Sequence, residues 1–568
     1  MSTTWLRSLT IGLTISIICI SCTKHSNVAM QQLDTFVYNE PDGIASLDPA
    51  VAVYRSSIWG CTHLFNGLVE LDSTQQIAPC IAKNWSVNQS GLEWTFTLRS
   101  DVQFQKDPCF GSKKTRTVTA ADVKYSIERI CDARTKSTGL WAFRTKILGA
   151  NEFHQTTKQG VNGHISGIAV VNDTVVRITL TEPFAPFLAI LTMPYASIVP
   201  KEAIELYQTD FGRHPVGTGP FKFGRWTQDV ELMLEKNDVY FKRDASHKPL
   251  PYLNKIQVTF LRDPKNEFLE FNRGQIDMIS SVDGSFTPTI FQANGQLKAP
   301  YDKFRLFKSP AQSVEYYGIL LDTAYPAAKR VPLASSKYLR QALNYAIDRH
   351  RIVTYLLFGK ATPAIYGVLP PSMPGFSKAT KGYDYNPAEA RRLLRLAGFP
   401  DGKGCPPLLL QLGNSQRTAS VAEAVQEQWR EIGINVELRQ VDFPQHLSMV
   451  RSGELAMWRT SWIGDYPDPE NFLSLFISSN MAPNGPNSTR MNRKDLDSLY
   501  RAALSPTLQT TERYALYNQM EKIVLDESPW IFMYYDGLLR LTQPNVSGFS
   551  LDGSDRLVLE RTFKTNAR

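Results

Sequence analysis

Beyond its first two dozen residues the chain has no apolar run approaching the ~20 residues that a membrane-spanning helix needs, so the body is expected to be soluble. It also lacks any block of Lys or Arg. Its 62 basic and 54 acidic residues are spread along the length for a net charge of +8, which argues against a nucleic-acid or polybasic membrane patch. Histidine is scarce: the eight, at positions 25, 63, 154, 164, 214, 247, 350 and 446, show no H-x-x-x-H or paired C-x-x-C…H spacing, so no metal cage is expected. There is no G-x-S-x-G elbow, no Walker loop and no G-x-G-x-x-G fingerprint. The one dense glycine motif, Gly217-Thr218-Gly219, runs straight into Pro220 and Phe221 and cannot open a helix as a phosphate loop does. Neither an enzyme nor a bound cofactor is expected.

Cysteine is sparse too, at seven residues. Two of them end an N-terminal segment in which Arg7 supplies a positive charge, residues 9–20 are apolar, and Ser21 precedes Cys22. Residues 1–21 read as a lipoprotein signal peptide, with Cys22 as the lipidated first residue of the mature chain. Cys19 stands where Leu is usual in such signals, and an ordinary secretory signal or uncleaved anchor is the alternative. The C-x-x-C spacing of Cys19 and Cys22 has no strand-helix context and is not read as a redox motif. The remaining Cys61, Cys80, Cys109, Cys131 and Cys405 are odd in number, so at least one is unpaired within the chain. A Cys109–Cys131 bridge is plausible, and buried free thiols are the alternative.

At 568 residues the chain exceeds the span of one growing hydrophobic core, and two or three domains are expected. With no evident internal repeat, strand-like and helical segments alternate from Leu33 onward, which predicts an α/β architecture. Residues 93–98, 175–180 and 256–260 alternate apolar and polar positions as strands do. Thr119 and Asp122 stand at capping-box spacing before Val123, Ile127 and Ile130, which share a helical face. A helix over 338–353 is predicted from Leu339, Ala342, Leu343, Ala346 and Ile347, with Ser335 and Ser336 as candidate caps. Farther on, Asn386-Pro387 with Glu389 predicts a capping box opening a helix that Gly398 stops. A strand over 408–412, a helix over 421–432 ended by Gly433, and a strand over 434–438 then predict a β-α-β unit with parallel pairing.

The segment SWIGDYPDPENF, residues 461–472, differs in kind. It sets Trp462 and Tyr466 around the carboxylate of Asp465, with Gly464 permitting close approach and Pro467 and Pro469 restraining the loop. A carboxylate in a mostly apolar pocket holds an ammonium by charge-assisted hydrogen bonds. Asp465 as a cap of the Pro-Asp-Pro turn is the structural alternative.

Seven motifs occur in order: SLDP (46–49), LFNGL (64–68), WTFTLR (94–99), VTAADV (118–123), PVGTGPF (215–221), LRQALNYAIDR (339–349) and SWIGDYPDPENF. Together they resemble the family 5 extracellular solute-binding proteins, the oligopeptide- and dipeptide-binding proteins of ABC importers, over residues 34–545. The resemblance implies a three-domain, two-lobed periplasmic binding protein-like α/β fold with the ligand cleft between lobes. Domain I would join residues 31–68, 212–305 and 535–568; domain II would be 69–211 and domain III 306–534. By the same resemblance, Asp465 would pair with a peptide's α-amino group, Trp462 would line the cleft, and Ser461 would lend backbone groups. Tyr317 and Tyr535 would be further contacts. One departure is the loop of residues 106–117, KDPCFGSKKTRT, which replaces a short acidic-glycine turn and could reshape the entrance to the cleft.

The resemblance and the N-terminal signal together lead to the expectation of a monomeric, lipid-anchored protein of the cell envelope, on the extracytoplasmic face, that captures short peptides and passes them to an ABC permease and its ATPase. On the same fold, a nickel chelate, haem, a glycan or an opine could replace the peptide, and a peptide-sensing signalling lipoprotein is a further alternative.

Overall fold

A sheet of eleven strands runs through the whole molecule, and two of its strands hold it together. The computed structural model describes residues 33–566 apart from Ser281, Asp283 and Ser285, so Cys22 and the signal segment fall outside the described residues. Arg305–Ile319 and Trp530–Thr542, fifteen and thirteen residues long, pair antiparallel along most of their length. On one side the sheet continues through Met278–Ile279, Thr35–Asn39, Lys255–Thr259, Glu231–Lys236 and Phe221–Thr227. On the other it continues through Met457–Ile463, Leu408–Gly413 and Val436–Val441. The register of the long pair shifts twice, over the wider gap between Pro310 and Val314 and again between Glu315 and Tyr316. Beside the wider bulge Gly537 meets the backbone so closely that a Cβ would sit 1.6 Å from the Lys360 carbonyl oxygen. A bulge and a glycine at one level give the sheet a waist, and the two lobes stand on either side of it.

Three large bodies of apolar side chains stand out among the described residues, beside smaller clusters around Phe271 and Trp458. The first gathers Phe36, Tyr38, Trp59, Leu64, Phe221, Leu234, Ile256 and Val258 with Val546, Leu557 and Leu559 from the far end of the chain. The second is formed almost entirely by residues 50–198 around a four-stranded antiparallel sheet, Ala82–Val87, Glu93–Leu98, Val175–Thr179 and Ile168–Asn172. The third covers both faces of the strands past the waist, with Tyr317, Leu343, Leu410 and Trp429 on one side and Val314, Phe472, Tyr517 and Tyr535 on the other.

Local chemistry explains most of the elements. Glu93–Leu98 is a strand over the predicted span, with Trp94, Phe96 and Leu98 buried. Thr119 and Asp122 form the reciprocal capping box that opens Ala120–Cys131. The β-α-β unit is present: Leu408–Gly413 and Val436–Val441 pair in parallel around Gln416–Arg430, and Gly433 turns the chain at φ +86°. The glycines of PVGTGPF do structural work, since Cβ atoms on Gly217 and Gly219 would lie 2.1 and 2.4 Å from the Leu64 backbone, and the Gly219 N–H donates to the Leu64 carbonyl at 2.9 Å.

Several expectations are corrected. At residue 386 only half of the capping box forms: Asn386 accepts from the Glu389 N–H at 3.0 Å, while the Glu389 carboxylate turns to Arg392. The helix expected over 338–353 ends early, as Lys337–Tyr345, and the chain then turns through Arg349–Arg351. What interrupts it is Arg349, whose buried guanidinium takes the carbonyls of Asn344 and Ile347 that a continuing helix would have used. No bridge joins Cys109 and Cys131, and all five described cysteines are free. Cys131 is sealed in the second body, whereas Cys109 sits in a turn whose Asp107 accepts the Tyr207 hydroxyl at 3.1 Å. That hydrogen bond and the stacking of Phe110 on Phe104 anchor the 106–117 loop. No helix among the described residues is long and apolar enough to cross a membrane.

Candidate functional site

Residues 461–472 begin as the end of a strand and finish as a short helix, and the change of direction between them exposes one carboxylate. In the strand Met457–Ile463, Trp462 is paired with Val314 and Ser461 with Glu315. The Gly464 N–H extends the pairing to the Gln312 carbonyl at 2.7 Å. A Cβ on Gly464 would press on the Phe472 ring at 3.1 Å and on Gln312 and Met373 at 3.4 Å, which is why the chain passes this point with a glycine. After the turn, Glu470–Leu473 forms one helical turn with every side chain buried.

Three carboxylates lie within six residues, and two are spoken for. Asp468 is buried, pairs with Arg513 at 2.8 Å and accepts the Glu470 N–H at 3.0 Å. Glu470 is buried and accepts the hydroxyls of both Tyr466 and Tyr500. Asp465 has neither an ion pair nor a hydroxyl donor among the described residues. Among the described residues its only side-chain partner is the Asn471 amide at 3.3 Å, and it is exposed. Although water reaches it, the surrounding protein withdraws enough solvent to raise its pKa above the usual carboxylate value, and the Asn471 hydrogen bond offsets only part of that. Its charge is also felt in the second body: burial and, less strongly, Asp465 raise the pKa of Tyr195, whose hydroxyl is 3.3 Å from that of Thr138.

Asn471 organises this arrangement, and the sequence reading did not single it out. Its side-chain oxygen accepts from the Trp462 indole at 2.9 Å and from the Asp465 N–H at 3.2 Å, while its nitrogen donates to the Asp465 carboxylate. One buried amide thus sets the indole and the carboxylate relative to each other. Asn471→Ala is expected to cost about 1–3 kcal/mol of stability, from several buried hydrogen bonds lost together, with a shift in tryptophan emission as Trp462 is freed. Urea unfolding followed by fluorescence reads both.

Of the residues expected from the sequence, the structure brings together Ser461, Trp462 and Asp465. Tyr317 and Tyr535 lie on the neighbouring strands, with Tyr535 in the apolar cluster on which Trp462 packs. Tyr317 is 2% exposed, packs edge-on to Trp429, and its hydroxyl finds no hydrogen-bond partner among the described residues. Tyr535 is 0% exposed and its hydroxyl is taken by the Gly367 carbonyl at 2.7 Å and N–H at 3.0 Å. Both rings are enclosed by core.

Beside Ser461 lies a strip of charge. Glu315, nearly buried, is paired with Arg459, and Asp536 with Arg417 at 2.9 Å, the latter guanidinium 5.5 Å above the Tyr534 ring. These charges cancel in pairs. Glu315 could have been noticed in the sequence as the one charge inside an apolar strand, VEYYGI, but its arginine lies far along the chain. No group of three or more His, Cys, Asp or Glu among the described residues could hold a metal ion.

The model for bacterial extracellular solute-binding proteins, family 5 Middle, matches residues 76–484. The glutathione-binding protein GsiB of Salmonella paratyphi A is 28% identical over 552 residues, covering 96% of this chain and 95% of that protein. Heme-binding protein A of Haemophilus influenzae is 27% identical over 528 residues, covering 91% and 90%. Among solved structures, the periplasmic murein tripeptide binding protein MppA in its unliganded open form superposes with a TM-score of 0.77 at 23% identity, covering 94% of this chain and 97% of that one.

Proposed function

The chain belongs to the family 5 bacterial extracellular solute-binding proteins, the binding proteins of ABC transporters, and from that premise we propose that it captures short peptides by their free α-ammonium at Asp465 and delivers them to a permease and its ATPase. The observation that carries this reading is the imbalance in the loop: Asp468 and Glu470 are buried and satisfied, Arg417 and Arg459 are neutralised by their partners, and Asp465 is left exposed with no ion pair. A cationic group on the ligand is the natural complement to a lone carboxylate in a low-dielectric cleft. Ser461 is at the end of an exposed strand segment where an extended peptide can add its own backbone hydrogen bonds, with Trp462 as a wall. The names of two relatives, one binding glutathione and one a murein tripeptide, support a peptide-like ligand, while the name of a third leaves haem as the rival.

In this reading domain I comprises residues 31–68, 212–305 and 535–568, domain II 69–211 and domain III 306–534. The protein acts as a monomer without catalysis, on the extracytoplasmic side, held to the membrane by lipid on Cys22. Native mass spectrometry of the purified protein, followed by calorimetry with trialanine, N-acetyl-trialanine, glutathione and haemin, tests it. Trialanine or glutathione is expected to bind and N-acetyl-trialanine to bind far more weakly. Binding of haemin with neither peptide, or equal binding of the acetylated and free peptides, would overturn it.

A further inference from the structure

The second body contains two side chains that do not belong to it. Its apolar cluster is formed by residues 50–198 except for Tyr466 and Leu504, 6% and 7% exposed, which reach in from the third body. Around them the two bodies meet along a continuous seam. The Ala185 N–H donates to the Leu504 carbonyl at 2.7 Å. Pro506 stands where a Cβ on Gly91 would meet its ring at 2.9 Å, with Pro183 alongside at 3.3 Å. Lys146, whose ammonium is 3.9 Å from the Phe184 ring centre, faces Glu470 closely enough to favour its ionised form. The third body is also attached at the waist, through the continuous chain of the long strands, which cannot part, and through the Gln312 amide, which donates to Gln75 at 3.2 Å. The seam is a narrow band of side-chain packing around Tyr466, Leu504 and Pro506 with one backbone hydrogen bond, a contact that can open and reclose.

The position of this seam relative to the site is what matters. Tyr466 follows Asp465 directly, and its hydroxyl is fixed by Glu470 on the same loop, to which Tyr500 is also bound. Resting on the reading that Asp465 holds the ligand, we propose that Tyr466 is a positioning residue that couples capture to lobe closure: its ring, seated in the second body, brings the neighbouring Asp465 to the seam, and unseating the ring withdraws the carboxylate as the lobes part. A ligand that pairs with Asp465 then stabilises the seated state, and the seated state holds the ligand.

The test needs no ligand for its first arm. Spin labels at Glu182→Cys and Thr507→Cys, both exposed positions flanking the seam, in a background carrying Cys109→Ser and Cys405→Ser, report its opening by pulsed electron-electron resonance. The free protein is expected to show a short and a long distance, and Tyr466→Ala to move the population to the long one, while Tyr466→Phe, which keeps the ring and loses only the hydroxyl bond, recovers most of the short one. In the second arm, trialanine or glutathione collapses the distribution to the short distance, and Tyr466→Ala speeds dissociation of the probe by about tenfold or more with a smaller effect on association. Should Tyr466→Ala fail to fold, Leu504→Ala loosens the same seam from the other element and is read in the same way. A single short distance with and without probe, unchanged in either variant, would overturn the proposal. A seam that opens in Tyr466→Ala while neither probe binds the parent would uphold the latch and sink the peptide reading instead.

Discussion

Replacing Asp465 by alanine is expected to weaken binding of trialanine by about 2–5 kcal/mol, the range for removing one partner of a desolvated charge pair, while the thermal unfolding temperature stays near that of the parent. The second half of that expectation follows from the geometry: Asp468 and Glu470 brace the loop, and Asp465 contributes one hydrogen bond to Asn471. Acetylating the peptide removes the same interaction from the ligand's side. Calorimetry on the four combinations of parent or Asp465→Ala with free or acetylated trialanine therefore isolates the pair. Acetylation that weakens the variant as much as the parent would show that the two groups are not partners. The pH dependence has a definite sign. Burial raises the pKa of Asp465 in the fold, so its neutral form is favoured there, and any contribution to stability is present at low pH and diminishes as pH rises through the raised value. Binding runs the other way, because only the ionised carboxylate holds an ammonium: affinity falls on acidification through the same value. Asp465→Asn is expected to flatten that profile.

Arg349→Met is expected to cost about 4 kcal/mol or more of folding stability, because a single side chain satisfies five buried acceptors. The Arg349 Nε donates to the Phe532 carbonyl at 2.7 Å, Nη1 to the carbonyls of Asn344, Tyr383 and Ile347 at 3.0, 3.0 and 3.2 Å, and Nη2 to the Asn344 side-chain oxygen at 2.9 Å. No carboxylate pairs with it among the described residues, and burial pulls its pKa down to about 10. The residue is 1% exposed and joins the end of one helix, the strand Trp530–Thr542 and the turn at Tyr383. Arg349→Lys keeps the charge but not the planar fork, and is expected to lose most of the same stability. Urea titration of both variants decides the matter, and a loss below about 1 kcal/mol would mean that the surrounding carbonyls find other donors.

The architecture is readable wherever short-range chemistry dictates it. Period-two alternation in Glu93–Leu98, the Thr119–Asp122 box and the Gly433 turn each specify their element within a few residues, and the structure has all three. Sequence patterns mislead where the deciding partner is distant in the chain. The helix after Lys337 stops because Arg349 is claimed by carbonyls near 383 and 532. The burial of Tyr317 and Tyr535 is not legible from pattern either, because strands covered on both faces are apolar throughout and alternation does not say which side faces solvent. In the loop, composition points to Asp465 but does not distinguish it from Asp468 and Glu470 as the unpaired one, since Arg513 and Tyr500 lie outside the motif. Asn471 escapes notice because an amide between Glu and Phe carries no signal until its three partners are seen.

The continuous sheet also governs the order in which the molecule can be completed. Thr35–Asn39 is among the earliest described elements, yet the body it builds is packed with Val546, Leu557 and Leu559, and Lys564 reaches back to Asp277 at 2.9 Å. Between the two halves of the sheet the strand Trp530–Thr542 lies in the middle, hydrogen-bonded to Arg305–Ile319 on one side and to Met278–Ile279 on the other. Until it arrives, a growing or emerging chain holds two partial sheets with open edges turned toward each other, the arrangement most prone to pairing with the wrong neighbour. The second body, drawn almost wholly from residues 50–198, can form early. The other two must wait for nearly the last strand, so the whole protein matures late, through contacts of very long sequence separation.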